Sequence, residues 1–433
     1  MANKNLANAT TVVSILPDDY ILISTGGSVR KISLEDFQQA IADNDQLLRE
    51  VAWGVTIKQN ASSQSWAHVG NQTMKQEFLD TIGRWLVTNS GKGAKLATSD
   101  SSIFADGTAL NEALGHVMFR STVPLYYLVK TNATTGIPTI WWSMEPIGGH
   151  VIMPQCFGAY KASMSGSALV SRSGVAPAGS KTITAFWNAA QVNGEHFGLI
   201  NYDHQKLMIM LNLMQFANPN CQVNIGYGIG GSTSKSLWSA AASLLTGATK
   251  SLGDGCGKID ITVSDGAVTG DDCSRVSLFG IEDAWNWQWE MTQGIYFGNS
   301  GNSGQNGTEA FIYSGNRLPS AAELASHPNG DYRQLTRNTS SGYVQEMLLG
   351  EFFDILCKTI GGGSTSYWGD YNYNNATGGL CLWGGYANSG AYSGLGYASS
   401  DNAWSRSDAL IGSRLAYYGD IEEMSGAELV TAA

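Results

Sequence analysis

The spacing of hydrophobic residues changes several times along the chain, and each spacing predicts a different element. Tyr20 to Ser24 reads as a short strand, Thr25 to Ser28 as a turn, and Val29 to Ile32 as the returning strand of a small hairpin. Ser33 is placed to cap a helix with Asp36 three residues on, and Leu34, Phe37, Ile41 and Leu48 fall near one face of it. So short a stripe does not fold alone, which predicts packing on another copy or another chain. From Val51 to about Arg120 the pattern is mixed: Trp53, Trp66 and Trp85 stand among Gly and polar residues, and a helix is predicted over Gln72 to Val87. Leu125 to Met144 reads as two β runs around the turn formers Asn132 to Gly136, and the adjacent Trp141 and Trp142 suit a strand covered on both sides.

Asn201 to Ala217 carries the clearest helical pattern, with Asp203 near its start, Leu207, Met210, Leu211 and Met214 on one face, and Asn218 and Pro219 as a stop. Further helices are predicted over Ser234 to Leu245 and Val344 to Lys358. Between them lie the β runs Val276 to Phe279 and Trp285 to Trp289, the second alternating three tryptophans with polar residues at strand period. The sum is an α+β architecture with many irregular loops.

Composition removes several function classes. In a chain of 433 residues, 43% are hydrophobic and 14% charged, which is enough apolar surface to offset ordering entropy and argues against disorder. The formal charge of −11, with no Lys/Arg stripe, disfavours nucleic acid. Neither a secretory signal at the first residues nor an apolar run of membrane-spanning length is recognisable, so no membrane insertion is expected. Cys156, Cys221, Cys256, Cys273, Cys357 and Cys381 form no CxxC pair and read as buried thiols, although Cys256 and Cys273 flank a Gly/Asp-rich segment and could pair outside the cell.

Chemical motifs are few. Gly226 to Gly231 satisfies GxGxxG and precedes a predicted helix, but no run of alternating strands and helices surrounds it, so a Gly-rich connection is the expectation rather than a nucleotide site. His196, Asp203 and His204 read as a turn and a helix start in preference to metal ligands. Glu282, Asp283 and Glu290 beside the tryptophans could pair as acids, yet carboxylates so placed more often accept hydrogen bonds. Neither a catalytic residue nor a metal or cofactor is assigned.

The segment Arg275 to Phe297 (RVSLFGIEDAWNWQWEMTQGIYF), followed by GGGSTSYWGDYN, LWGGYANSG and the closing IGSRL, resembles the C-type-lectin-like fold shared by formylglycine-generating enzymes and the variable proteins of diversity-generating retroelements. The resemblance covers about Gly149 to Tyr418. It implies a C-type-lectin-like domain over 149–422 with a variable ligand-binding lobe at about 361–418, preceded by an intermediate domain at 51–148 and an attachment or trimerisation region at 1–50. Trp285, Trp287, Trp289, Gly384, Gly385, Gly412 and Arg414 would be structural. The contact residues would be Tyr371, Tyr373, Asn375, Tyr386, Asn388, Ser389, Tyr392, Tyr397, Asp401, Asn402, Trp404, Arg406 and Asp408. Tyr and Trp bury large areas with few rotatable bonds, while Ser, Asn and Gly adapt their hydrogen bonds.

Retroelement mutagenesis acts mostly at AAY codons, which cannot become Lys, Glu, Gln or Met, and 361–418 contains none of these four. The start of the chain (DDYILISTGGSVRKISLEDFQQAI) resembles the hairpin-plus-helix starts of phage tail-fibre proteins. Together these resemblances imply a bacteriophage receptor-binding protein, homotrimeric, assembled in the host cytoplasm into the virion. Its partners would be other tail proteins at the N-terminus and a bacterial cell-surface receptor, protein or glycan, at the variable lobe. The alternatives are a structural fibre protein, a formylglycine-type enzyme relying on late cysteines, for which Cys357 and Cys381 are the available pair, and a bacterial surface adhesin.

Overall fold

The computed structural model describes residues 11–16, 20–25, 28–33, 36, 39, 45–298, 308–313, 316–320, 332–375 and 379–432. It is a mixed α+β structure in which strand outweighs helix, 37% against 17%, so sheets that curl into half-barrels set its shape. The expected hairpin forms, with Tyr20–Thr25 pairing Ser28–Ser33, and a strand at Thr11–Leu16 joins it on the other edge. Asp36 N–H donates to Ser33 Oγ at 3.0 Å, as the cap requires. Leu34, Phe37 and Ile41 of the expected stripe lie outside the described residues. Leu48 is buried with Ala52, Trp141 and Ile147.

Three large sheets enclose the core. A five-stranded sheet runs His150–Ile152, Leu125–Thr131, Pro138–Ser143, Trp53–Thr56, Ala67–Gly70. Leu125–Thr131 and Pro138–Ser143 form the hairpin expected around Asn132, whose side chain accepts from Thr134 and Thr135 N–H. A seven-stranded sheet interleaves Phe197–Leu199, Leu415–Tyr417, Cys156–Gly158, His116–Ser121, Ile82–Val87, Lys92–Lys95 and Glu422–Glu423. Strands from before and after residue 148 therefore share one sheet, and the expected boundary between 148 and 149 does not divide the fold. The nine-stranded sheet runs Tyr332–Thr336, Glu309–Tyr313, Trp289–Phe297, Leu380–Gly384, Gly394–Asn402, Tyr371–Tyr373, Gly342–Leu349, Asp354–Ile360, with Ile411–Gly412 paired parallel to Trp289–Phe297.

The helix Tyr202–Phe216 forms as its pattern predicts, but twelve of its residues, from Tyr202 to Met214, are buried around its whole circumference. A helix covered on all sides belongs between layers, and this one touches Trp53–Thr56, Trp289–Phe297 and Gly394–Asn402. Asn201 caps it in a reciprocal box: Asn201 Oδ1 accepts from His204 N–H at 3.0 Å, and His204 Nδ1 accepts from Asn201 N–H at 2.9 Å.

Several predicted elements differ. The helix expected over Gln72 to Val87 stops at Leu79, and Ile82–Val87 is a wholly buried strand whose β-rich sequence, Ile-Gly-Arg-Trp-Leu-Val, fits a sheet interior. The helix expected over Val344 to Lys358 is a β-hairpin, Gly342–Leu349 with Asp354–Ile360, turned by Leu349, Gly350 and Phe353 at positive φ. The helix expected over Ser234 to Leu245 forms only as the four-residue helix Trp238–Ala241. Trp285 to Trp289 is no alternating strand: Asp283 and Asn286 take positive φ, and the polar Asn286 and Gln288 are buried with the tryptophans. All six cysteines are free, Cys256 and Cys273 included.

A buried charge cluster joins these layers. Glu290 Oε1 accepts from Lys161 Nζ and Arg414 Nε, each at 2.6 Å, with all three side chains at most 1% exposed. Arg414 also donates to the carbonyls of Gly158, Ala159 and Glu282. Beside it, Arg275 bridges Glu282 at 3.0 Å and Asp283 at 2.6 Å, and Glu282 takes the Gly247 and Thr249 N–H groups, both at 2.7 Å. Burial pulls Lys161 down to about 8, and Glu290 opposes that pull.

Removing one member of a buried pair strands the other. Arg414→Met is expected to lower the unfolding free energy by about 3 to 5 kcal/mol in urea titration. A second prediction concerns acid. Burial pulls His116 and His204 down to about 3. The unfolded chain takes up these protons near pH 6.5, so the two histidines' stabilising contribution is complete above about 6.5 and is lost as pH falls towards 3. His204→Gln preserves the capping acceptor. Between pH 7.5 and 4.5 it is expected to lose about 2 kcal/mol less than the parent chain, read from urea midpoints at the two pH values.

Candidate functional site

The lobe at 361–418 presents a face of tyrosines. On the strand Tyr371–Tyr373 the side chains alternate: Tyr371 and Tyr373 point outward, while Asn372 turns in and donates to Ser340 O at 2.8 Å. Tyr392, on the 3₁₀ turn Gly390–Tyr392, lies 4.6 Å from Tyr371 between ring centres, and Tyr343 of the hairpin strand lies 5.4 Å from Tyr371 and 5.5 Å from Tyr392. Tyr373 and Tyr392 are each 40% exposed. Burial raises the phenol pKa of Tyr343 and Tyr371, so both remain neutral.

This face rests on a fixed floor. Tyr397 is 7% exposed and packs between Tyr371 and Trp289, at 5.8 and 4.7 Å. Tyr386, half-buried, stacks on Trp289 at 6.3 Å. Asp370 is buried, takes Gly396 N–H at 3.2 Å, and is raised well above the usual carboxylate range by desolvation. Arg337, also buried, donates to Ser400 Oγ at 2.6 Å and to Asn374, with its guanidinium 3.9 Å from the Phe297 ring. Gly384 and Gly385 turn the chain at φ +89° and +80°, where a Cβ would meet Ala284 O or Ser393 Oγ.

A second group stands at the end of the strand Gly394–Asn402 and on the loop that follows it. Trp404, half-buried, sets its edge against Tyr296 at 6.4 Å, Arg406 pairs with Asp408, and Asp401 accepts from Ser399 Oγ at 2.8 Å and from Asn402. Asn375, Asp401 and Arg406 are exposed.

The structure thus brings Tyr371, Tyr373 and Tyr392 together on one face and places Asp401 to Asp408 on the end of the strand Gly394–Asn402 and the loop after it. It corrects three of the expected contact positions. Ser389 and Tyr397 lie beneath the face, because Ser389 Oγ takes Tyr386 N–H and Tyr397 fills the floor. Asn388 is half-buried, and its Oδ1 accepts from Leu237 and Trp238 N–H at 2.8 and 2.9 Å, holding the start of the short helix Trp238–Ala241. Sequence reasoning missed Tyr343, because its segment was read as leading into a helix. The glycines at 342 and 350 bracketing a seven-residue β-compatible run were the available signal.

The other chemical candidates are structurally engaged. Gly226 to Gly231 is a connection that receives Asn286 and the Trp285 indole N–H. Glu282, Asp283 and Glu290 are bound up in the buried charge cluster, and His204 in the helix cap. Cys357 lies on the strand Asp354–Ile360, and burial pushes its thiol up to about 12. Cys381 is pushed up further by complete burial. Among the described residues no group of three or more His, Cys, Asp or Glu side chains could hold a metal ion, and no helix is long and apolar enough to cross a membrane. No protein-family model matches the chain, and no curated protein matches it.

The division between face and floor has a measurable consequence. Tyr373→Ser and Arg406→Ser are each expected to change the unfolding free energy by less than about 0.5 kcal/mol. Asn388→Leu is expected to cost about 1 to 3 kcal/mol by orphaning two backbone donors, in the same urea assay.

Proposed function

We propose that this chain is a receptor-binding protein at the tip of a bacteriophage tail fibre, which binds a host cell-surface receptor through its tyrosine face and the segment 401–408. The observation that carries the reading is the separation of roles in 361–418. Outward side chains are Tyr, Asn, Ser, Asp and Arg, while backbone geometry is held from beneath by Asp370, Arg337, Tyr397 and the Gly384–Gly385 turn. A binding surface that varies needs this arrangement, because its scaffold must be indifferent to the exposed set.

The missing Lys, Glu, Gln and Met across 361–418 support diversification by a retroelement. A C-type-lectin-like fold for the C-terminal part is supported by the parallel pairing of Trp289 and Glu290 with Ile411 and Gly412, and by Arg414 locking onto Glu290. In this reading the N-terminal sheet attaches to the particle and the chain assembles as a trimer. Several copies per particle would raise avidity by about 10² to 10⁴ over a single site.

Replacing Tyr371, Tyr373 and Tyr392 together by Ser is expected to reduce adsorption of the particle to its host by at least about 100-fold, since buried tyrosines at an interface contribute about 2 kcal/mol or more each. Circular dichroism should be unchanged. Undiminished adsorption by the folded variant contradicts receptor contact and leaves a packing role within the fibre. The coding DNA is expected to have, beside a reverse transcriptase, a near-copy of the codons for 361–418 that differs only at adenines of that copy. Lack of such a repeat removes the diversification claim.

A further inference from the structure

A groove of about 750 Å³ lies away from the tyrosine face, and none of its lining residues falls within 361–418. Its walls come from the strand Leu125–Thr131, the loop before His150, the first turn of the helix Tyr202–Phe216, the strands Glu309–Tyr313 and Tyr332–Thr336, and Phe352. The volume is that of a small-molecule cleft.

Its charges are paired before any ligand arrives. Lys206 Nζ lies 2.9 Å from Asp203 Oδ1 and is itself buried. Arg333 forks onto Asp354 at 2.8 and 2.6 Å. Among the described lining residues the four formal charges cancel, so these offer an anion no uncommitted cation and a cation no uncommitted carboxylate pair. What remains is a set of neutral or half-used hydrogen-bonding groups beside rings. His150 stacks on Phe352 at 4.1 Å, and among the described residues nothing hydrogen-bonds either of its ring nitrogens. Burial lowers its pKa, so the neutral imidazole presents one donor and one acceptor. Asp203, 44% exposed in its side chain, has its second oxygen turned to no described partner. Tyr126 and Tyr332, each partly buried, add ring surface.

We propose that this groove binds a neutral saccharide. Sugar hydroxyls both donate and accept, as a neutral imidazole and a half-used carboxylate require, and the C–H faces of the rings can lie against the tyrosines. An alkyl chain would leave His150 and Asp203 unpaired in a covered site. An anionic ligand would have to displace two formed ion pairs. This site goes beyond receptor contact by the tyrosine face and stands independently of it.

Saturation-transfer NMR on the full chain with maltotriose, cellotriose and the N-acetylglucosamine trimer tests the proposal, with an acidic galacturonate trimer and octanoate as controls. At least one neutral trimer is expected to receive saturation, with its affinity reduced about 10-fold or more in His150→Ala and in Asp203→Asn. Binding should persist when Tyr373 and Tyr392 are replaced by Ser, which separates this site from the tyrosine face. Unfolding midpoints of the groove variants show whether they are folded, and Tyr332→Ser provides a third variant from another strand. No transfer to any neutral trimer, transfer undiminished in all three groove variants, or stronger binding of the galacturonate or octanoate overturns the proposal.

Discussion

The structure depends on one carboxylate. Glu290 lies under the lobe and receives Lys161 and Arg414 on the same oxygen, each at 2.6 Å. Those partners come from a loop after Cys156–Gly158 and from the chain between Ile411–Gly412 and Leu415–Tyr417, so a single group ties the nine-stranded sheet to the seven-stranded one. Desolvating three charges is expensive, and it is offset here because Arg414 also donates to the carbonyls of Gly158 and Glu282, and to that of Ala159, which takes the Glu282 N–H as well. A hydrophobic replacement could fill the space, but it would withdraw the Arg414 donors from the Gly158 and Glu282 carbonyls. The cluster therefore specifies which loops meet as much as it stabilises their meeting.

The lobe above inherits that rigidity. Trp289, next to Glu290, holds Tyr397 and Tyr386, and Tyr397 in turn carries Tyr371. Each ring is positioned by the one below it, until Tyr392, resting on Tyr371 and Tyr343, and Tyr373, at the end of its strand, reach solvent at 40% exposure. Side chains at the top can change without disturbing the bottom, whereas a change at Tyr397 or Asn388 is transmitted directly to packing or to backbone donors.

Much of the fold was legible in the sequence where one physical signal dominated. The Asn132–Gly136 hairpin and the Asn201–Ala217 helix combine periodicity with turn or cap residues, and both form. Val344 to Lys358 has apolar residues at helical spacing, but Gly350 and Phe353 need positive φ for a turn, and tertiary pairing decides for strands. Gln72 to Val87 fails for a related reason: Val87 and Leu86 look helical only until the sheet supplies partners for Ile82–Val87. The boundary expected at 148–149 could not be seen to fail, because interleaving of early and late strands is a long-range property. Within the lobe, composition picked out Tyr371, Tyr373 and Tyr392, which the structure gathers on one face, but it could not distinguish them from Tyr397 or Ser389, whose burial depends on Trp289 and the Tyr386 backbone.

A fixed, charge-locked scaffold beneath an exchangeable face is the central claim. A saturation library covering Tyr373, Asn375, Tyr392, Asp401 and Arg406, and separately Lys161, Glu290 and Arg414, sorted for folded protein by resistance to protease, measures it most directly. The first set is expected to accept most residues, small and polar ones included, and the second almost none. Comparable tolerance in the two sets would contradict it.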